Sequence, residues 1–99
     1  MEIVREQTDE KVVLRLSGWL NNTTAPALQD ALLPEFDNAA HVELDLKKAP
    51  YVSSAGLRVL LMAEKKAVSK HAEFTVANLC PEVMEVFKTT GFVSMLKIV

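Results

Sequence analysis

Few side chains in this sequence have the types and spacing that chemistry requires. Two adjacent hydroxyls, Ser53 and Ser54, stand in VSSAGL, residues 52–57, where an alternating apolar run gives way to an apolar run at helical spacing. A serine at the start of a helix can cap it by accepting from a free backbone N–H of the first turn. The same place suits a phosphoacceptor, because unpaired N–H groups and a partial positive charge favour an anion there. A phosphate would add roughly −1.5 to −2 charge. One residue can fill both roles. Gly56 leaves space beside the hydroxyls, since it has no Cβ to obstruct an approaching chain. A nucleophilic serine would need a base within hydrogen-bond reach, and this turn lacks the G-x-S-x-G elbow. His41 opens the strand that leads to the turn, so about 20 Å of extended chain separates it from the serines. His71 precedes the next strand, at that same far end. This placement argues against hydrolase chemistry.

The other reactive types are sparse. The single cysteine, Cys80, stands directly before Pro81, where a helix is expected to open. A helix start can lower a thiol pKa, which gives a small enzyme with a Cys80 nucleophile as one reading. A small, half-buried residue suits the position equally well. Glu43 and Asp45 project from one face of a strand and read as solvated surface. With one cysteine and two histidines thirty positions apart, no metal-ligand spacing exists.

The elements that must position these groups follow from periodicity. KVVLRLS alternates, with Val12, Leu14 and Leu16 on one face and Val13, Arg15 and Ser17 on the other, and Gly18 ends it. A short strand over residues 3–6 precedes it, and TDE, containing Asp9, makes a hairpin turn between them. HVELDL turns Val42, Leu44 and Leu46 inward, EFTVAN does so with Phe74 and Val76, and residues 95–99 form a closing strand. Alternation in several strands means a sheet with one buried and one wet face. Three helices fit between the strands. Thr24 caps the first, Pro26 sits in its first turn, Leu28, Leu32 and Phe36 face the core, and Pro34 ends or bends it. The second starts at the serines, carries Leu57, Leu60, Leu61 and Val68 on one stripe, and ends among Lys65, Lys66 and Lys70. The third opens at Pro81, buries Val83, Val86 and Phe87, and stops at Gly91. The order β-β-α-β-α-β-α-β implies parallel crossovers plus an antiparallel edge. The expected fold is α/β, a mixed sheet with helices on one face.

The 99 residues are expected to form one domain, 1–99, with no linker or repeat. Hydrophobic residues make up 49% and charged residues 24%, the balance of a folded domain rather than a disordered tail. A net charge of −2 argues against nucleic-acid binding. No apolar stretch approaches the roughly 20 residues that cross a bilayer, and MEIVREQTDE has no signal-peptide core. The lone cysteine fits a reducing cytoplasm.

LDLKKAPYVSSAGLRVLL, residues 44–61, resembles the signature of the STAS domain, in particular that of single-domain bacterial anti-sigma factor antagonists. VVLRLSGWLNNTTAPALQDAL, residues 12–32, is similar to the family's second strand, G-x-L-D turn and first helix. ANLCPEVMEVFKTTGF, residues 77–92, is similar to its final helix, N-L-x-P-x-V followed by T-G. The resemblance covers the whole chain. It implies a four- to five-stranded mixed sheet with helices mainly on one face. It also implies a phosphorylatable serine at the second strand-to-helix turn, carried over by position to Ser54, with Ser53 as second candidate. The function implied is partner switching. The unmodified protein binds an ATP-dependent serine kinase that doubles as an anti-sigma factor, and a sigma factor is freed. Phosphorylation loosens the complex, and a serine phosphatase resets it. The chain itself would catalyse nothing and carry no cofactor; ATP and magnesium belong to the kinase.

Two positions depart from the family pattern. Ser53 stands where many members have the aspartate before the phosphoserine, and Asn21 stands where many have the aspartate of G-x-L-D. Asn21 is expected near Ser54, because both turns lie at one end of the sheet. Loss of a carboxylate there removes repulsion against a phosphate and also an orienting acceptor for the hydroxyl. This leaves an alternative: a STAS module acting as a constitutive binding subunit, for instance of a transport or lipid-trafficking ATPase complex. Trp19, at the end of a strand beside the turn, suits the core or its rim, and its type also suits an interface anchor. Tyr51 and Leu57 are anchors on the same grounds. The expected partner surface is therefore Trp19, Asn21, Tyr51, Ser53, Ser54, Gly56 and Leu57.

Overall fold

The computed structural model describes residues 1–99. The alternating segments form five strands: β1 (Glu2–Gln7), β2 (Val12–Ser17), β3 (His41–Lys48), β4 (Glu73–Ala77) and β5 (Lys97–Ile98). They lie side by side in chain order; β1 is antiparallel to β2, and every later pair is parallel. The helices are α1 (Ala25–Leu32), α2 (Ser54–Ser69), α3 (Pro81–Thr90) and a short α4 (Phe92–Met95). Each parallel step moves across the sheet in the same direction. Right-handed crossovers then put α1, α2 and α3 on one face, as the sequence reading expected.

Register makes the buried face. Val12 pairs with Val42 and Val42 with Phe74; Leu14, Leu44, Val76 and Ile98 align in the next row. These rows join Leu28, Leu32, Leu57, Leu60, Val83 and Phe87 in one core. Phe36 packs edge-on against Phe74, ring centroids 5.7 Å apart. The opposite face carries charge: Lys11 pairs with Glu43 at 3.2 Å, and Arg15 pairs with Glu6 at 3.4 Å and with Asp45 at 3.7 Å. Among these charges Thr75 is buried, and its hydroxyl lies 2.9 Å from His41 Nε2.

Three local expectations need correction, those for Thr24, Val68 and the closing strand, while that for Pro34 holds. Thr24 occupies the N-cap position of α1 without capping it, because its hydroxyl is turned back into the preceding loop. Pro34 does interrupt α1, which continues as a 3-10 turn over Leu33–Asp37 and keeps Phe36 inward. Val68 is 65% exposed rather than part of the α2 stripe, whose inward line runs through Leu57, Leu60, Ala63 and Ala67. The closing strand is only two residues long, because residues 92–95 are taken by α4 after Gly91, whose φ of +82° ends α3.

Candidate functional site

The end of β3 and the start of α2 make one tight turn. Residues 19–22 run alongside residues 51–53: Leu20 N–H donates to Tyr51 O at 3.0 Å, and Ser53 N–H donates to Leu20 O at 2.9 Å. This short parallel bridge turns Leu20 and Val52 inward, both buried, and leaves Trp19 and Tyr51 outside. The two rings stack against each other, centroids 5.2 Å apart and tilted by 40°. Trp19 is 59% exposed and Tyr51 46%. Trp19 is thus not a core residue; the pair forms an apolar step on the surface, next to the serines.

The two hydroxyls separate in role. Ser53 is the N-cap of α2: its Oγ accepts from Gly56 N–H at 3.3 Å and donates to Asn22 Oδ1 at 3.4 Å. Both of its hydrogen-bonding functions are therefore engaged. Ser54 is the first helical residue and is exposed, and its hydroxyl makes no hydrogen bond within the protein. The sequence allowed one serine to cap and to be modified; the structure gives the cap to Ser53 and leaves Ser54 free.

Gly56 and Leu57 face the other way. A Cβ on Gly56 would sit 2.7 Å from Leu20 Cγ and 3.1 Å from Val52 Cγ1. The space of the missing Cβ is filled from within the protein and does not open toward a partner. Leu57 is also buried, at 6% exposure, so its side chain packs in the core. Both residues fix the turn without presenting surface.

Asn21 lies at the expected end of the sheet, but its side chain is held in its own loop. Its Oδ1 accepts from the backbone N–H groups of Thr23 and Thr24 at 3.0 and 3.1 Å, while Thr24 Oγ1 accepts from Asn21 N–H and donates to Trp19 O. This is an Asx turn, and it rigidifies the backbone that carries Trp19. The amide that reaches the serines belongs to Asn22, which the sequence reading missed. The signal was present in the repeated NN: one asparagine closes the turn and the next is free to point across it.

The remaining candidates are held elsewhere. Cys80 is the half-buried N-cap of α3, and its thiol donates to Lys47 O at 3.4 Å. His41 starts β3, with Nδ1 3.6 Å from Glu73 and Nε2 against Thr75. The eight residues of β3, His41 included, separate it from the serine turn by about 25 Å at the usual rise. His71 is in the turn before β4, at that same far end. A depression of about 840 Å³ opens there among Asp9, Lys11, Asn38 and His41, but it brings no base to Ser54. No three His, Cys, Asp or Glu side chains converge, and no helix is long and apolar enough to cross a membrane.

This fold and turn have known counterparts. Residues 3–97 match the family described as Mlab, STAS domain, and the chain belongs to the STAS-domain family. Among its relatives, a Bordetella bronchiseptica protein described as a candidate anti-sigma factor antagonist, BtrV, is 33% identical over 99 residues, covering 99% of this chain and 85% of its own. A candidate anti-sigma factor antagonist from Thermotoga maritima superposes with a TM-score of 0.90 at 21% identity, covering 97% of this chain and 84% of that one. The Bacillus protein SpoIIAA in its phosphorylated form superposes with a TM-score of 0.77 at 17% identity over 99% of this chain and 91% of its own. The relatives are named for antagonism, which is binding, rather than for a catalysed reaction.

Proposed function

We propose that this protein is an anti-sigma factor antagonist that works by partner switching, with Ser54 as its phosphoacceptor. The observation that carries the reading is the division of the serines. Ser54 is exposed and unengaged at the first position of α2, beside the stacked Trp19–Tyr51 step, while Ser53 is occupied as the cap. The names of the relatives and the phosphorylated form of SpoIIAA support it. In the unmodified state the aromatic step and the Ser54 turn dock on an anti-sigma factor that is also a serine kinase, and a sigma factor is released. The hydroxyl proton of Ser54 leaves to the kinase's base as Oγ attacks the γ-phosphorus of ATP and ADP departs.

Phosphate is tolerated by the fold and not by the interface. At the exposed start of α2 an anion is favoured by roughly 0.3–1 kcal/mol. In the complex the same dianion would be desolvated against a surface formed around a neutral hydroxyl. A loss of about 2–4 kcal/mol reduces affinity by roughly thirty- to a thousandfold. A serine phosphatase then restores the binding form, and the cycle is confined to the cytoplasm, where ATP and sigma factors are found.

The test is intact mass after incubation with cell extract and ATP. Wild type and Ser53→Ala are expected to gain the mass of one phosphate, and Ser54→Ala is expected to gain none. Addition to Ser54→Ala would move the acceptor to another residue. No addition to wild type would favour the constitutive binding subunit, which Ser53 and Asn21, in place of the family's usual carboxylates, would suit.

A further inference from the structure

The starts of α1 and α2 enclose a groove of about 380 Å³, lined on its polar side by Asn22, Gln29, Ser54 and Arg58. No carboxylate lines it, and Arg58 supplies its only formal charge. Arg58 is also the odd member among the three arginines of the chain. Arg5 is held by Glu35, and Arg15 by Glu6 and Asp45. Arg58 is exposed and has no acidic partner.

Its position relative to Ser54 follows from the helix. They stand four positions apart in α2, so the two side chains lie one turn apart on the same face. An anion at i with a cation at i+4 is the favourable order along a helix. A guanidinium offers a planar pair of N–H donors that matches two oxygens of a phosphate, which an ammonium does not. The Asn22 carbonyl is taken by Ser53, which leaves the Asn22 amide N–H₂ unused beside the groove.

We propose that Arg58 is a built-in clamp for the phosphate on Ser54, drawing the phosphoryl group into the groove between α1 and α2. Arg58 is a positioning residue in this account, since it acts on the modified side chain and not on the transfer of phosphate. The clamp rests on the reading that Ser54 is the modified residue, and it adds how the modified state is held. The modified protein carries an internal ion pair where the unmodified one has a free guanidinium.

The experiment installs phosphoserine at position 54 during synthesis, so that no kinase or partner is needed, and follows the phosphate by ³¹P NMR as a function of pH. A nearby cation favours the dianion, so the second phosphate pKa is expected below that of a phosphoserine tetrapeptide. Arg58→Gln should move it back up by about half a unit, and Arg58→Lys should recover part of the difference, because it keeps the charge and loses the fork. On the unsubstituted protein, 1 M sodium chloride should shrink the difference from the tetrapeptide in the same salt, since screening then acts within about 3 Å. Identical titration of the Arg58 and Arg58→Gln proteins, or of the protein and the tetrapeptide, would overturn the clamp. The phosphate is placed synthetically, so failure of the clamp is read here, whereas failure of the switch is read from the mass and binding measurements.

Discussion

Helices α2 and α3 begin at the same end of the sheet, each after a parallel strand, and their first turns face opposite environments. At α3 the cap position holds Cys80, whose thiol donates back to the carbonyl of Lys47. Pro81 follows, with no N–H to offer. That start is stitched to β3 and closed. At α2 the cap position holds Ser53, which does the stitching through Gly56 and Asn22, so the next hydroxyl, on Ser54, is left with nothing to do inside the protein. The aromatic step stands beside this second start, since residues 19–22 run along residues 51–53. The two starts therefore differ in one respect: α2 keeps an unengaged hydroxyl in its first turn, and α3 does not.

The start of α2 is most sensitive at Gly56. Gly56→Val forces a β-branched side chain against Leu20 and Val52, where even a Cβ would lie 2.7 Å from Leu20 Cγ. A loss of about 3 kcal/mol is expected in urea unfolding, the upper end of overpacking costs. Partner binding should fall only as far as the folded fraction falls. Binding that weakens well beyond stability would return Gly56 to the interface.

Trp19→Ala tests the aromatic step. Trp19 is more than half exposed, so unfolding should change by no more than about 0.5 kcal/mol. Affinity for the anti-sigma partner should fall by about 2 kcal/mol, the scale of a tryptophan hot spot. Unchanged affinity by calorimetry would remove the step from the docking surface.

Ser53→Ala removes the cap and should cost about 1 kcal/mol of stability, read by chemical denaturation. Its effect separates the two serines, because Ser54→Ala at an exposed first position should cost much less. Equal costs would mean that the cap is shared. Cys80→Ser is the smallest change. A hydroxyl can donate to Lys47 O as the thiol does, so stability should stay within about 0.5 kcal/mol of wild type. A slow reaction of native Cys80 with a thiol reagent, speeded by denaturant, would sharpen the contrast with Ser54.

Much of this arrangement was legible in the sequence, because it follows from alternation and punctuation. HVELDL and KVVLRLS fixed the inward rows, and the order of elements fixed the parallel steps. The errors over which residues face inward share a cause: side-chain direction does not follow from residue type. Valine is more apolar than alanine, so Val68 was drawn into the α2 stripe, whereas Ala63 and Ala67 face the sheet and let the helix approach it. Gly56 was read as space facing outward, and only the path of Leu20 reveals that the space is already filled. Asn21 and Asn22 are the same residue type, one position apart. Which of them crosses to Ser53 depends on the Asx turn, a matter of backbone geometry.

The proposed switch is the free hydroxyl of Ser54. The most direct measurement is titration calorimetry of unmodified and phospho-Ser54 protein against the anti-sigma factor kinase, isolated as the ATP-dependent activity that modifies Ser54. The unmodified form is expected to bind tightly, and phosphorylation to weaken binding roughly thirty- to a thousandfold, corresponding to about 2–4 kcal/mol. Far-ultraviolet circular dichroism and the thermal midpoint should remain those of the folded protein. Equal affinity of the two forms would contradict the switch.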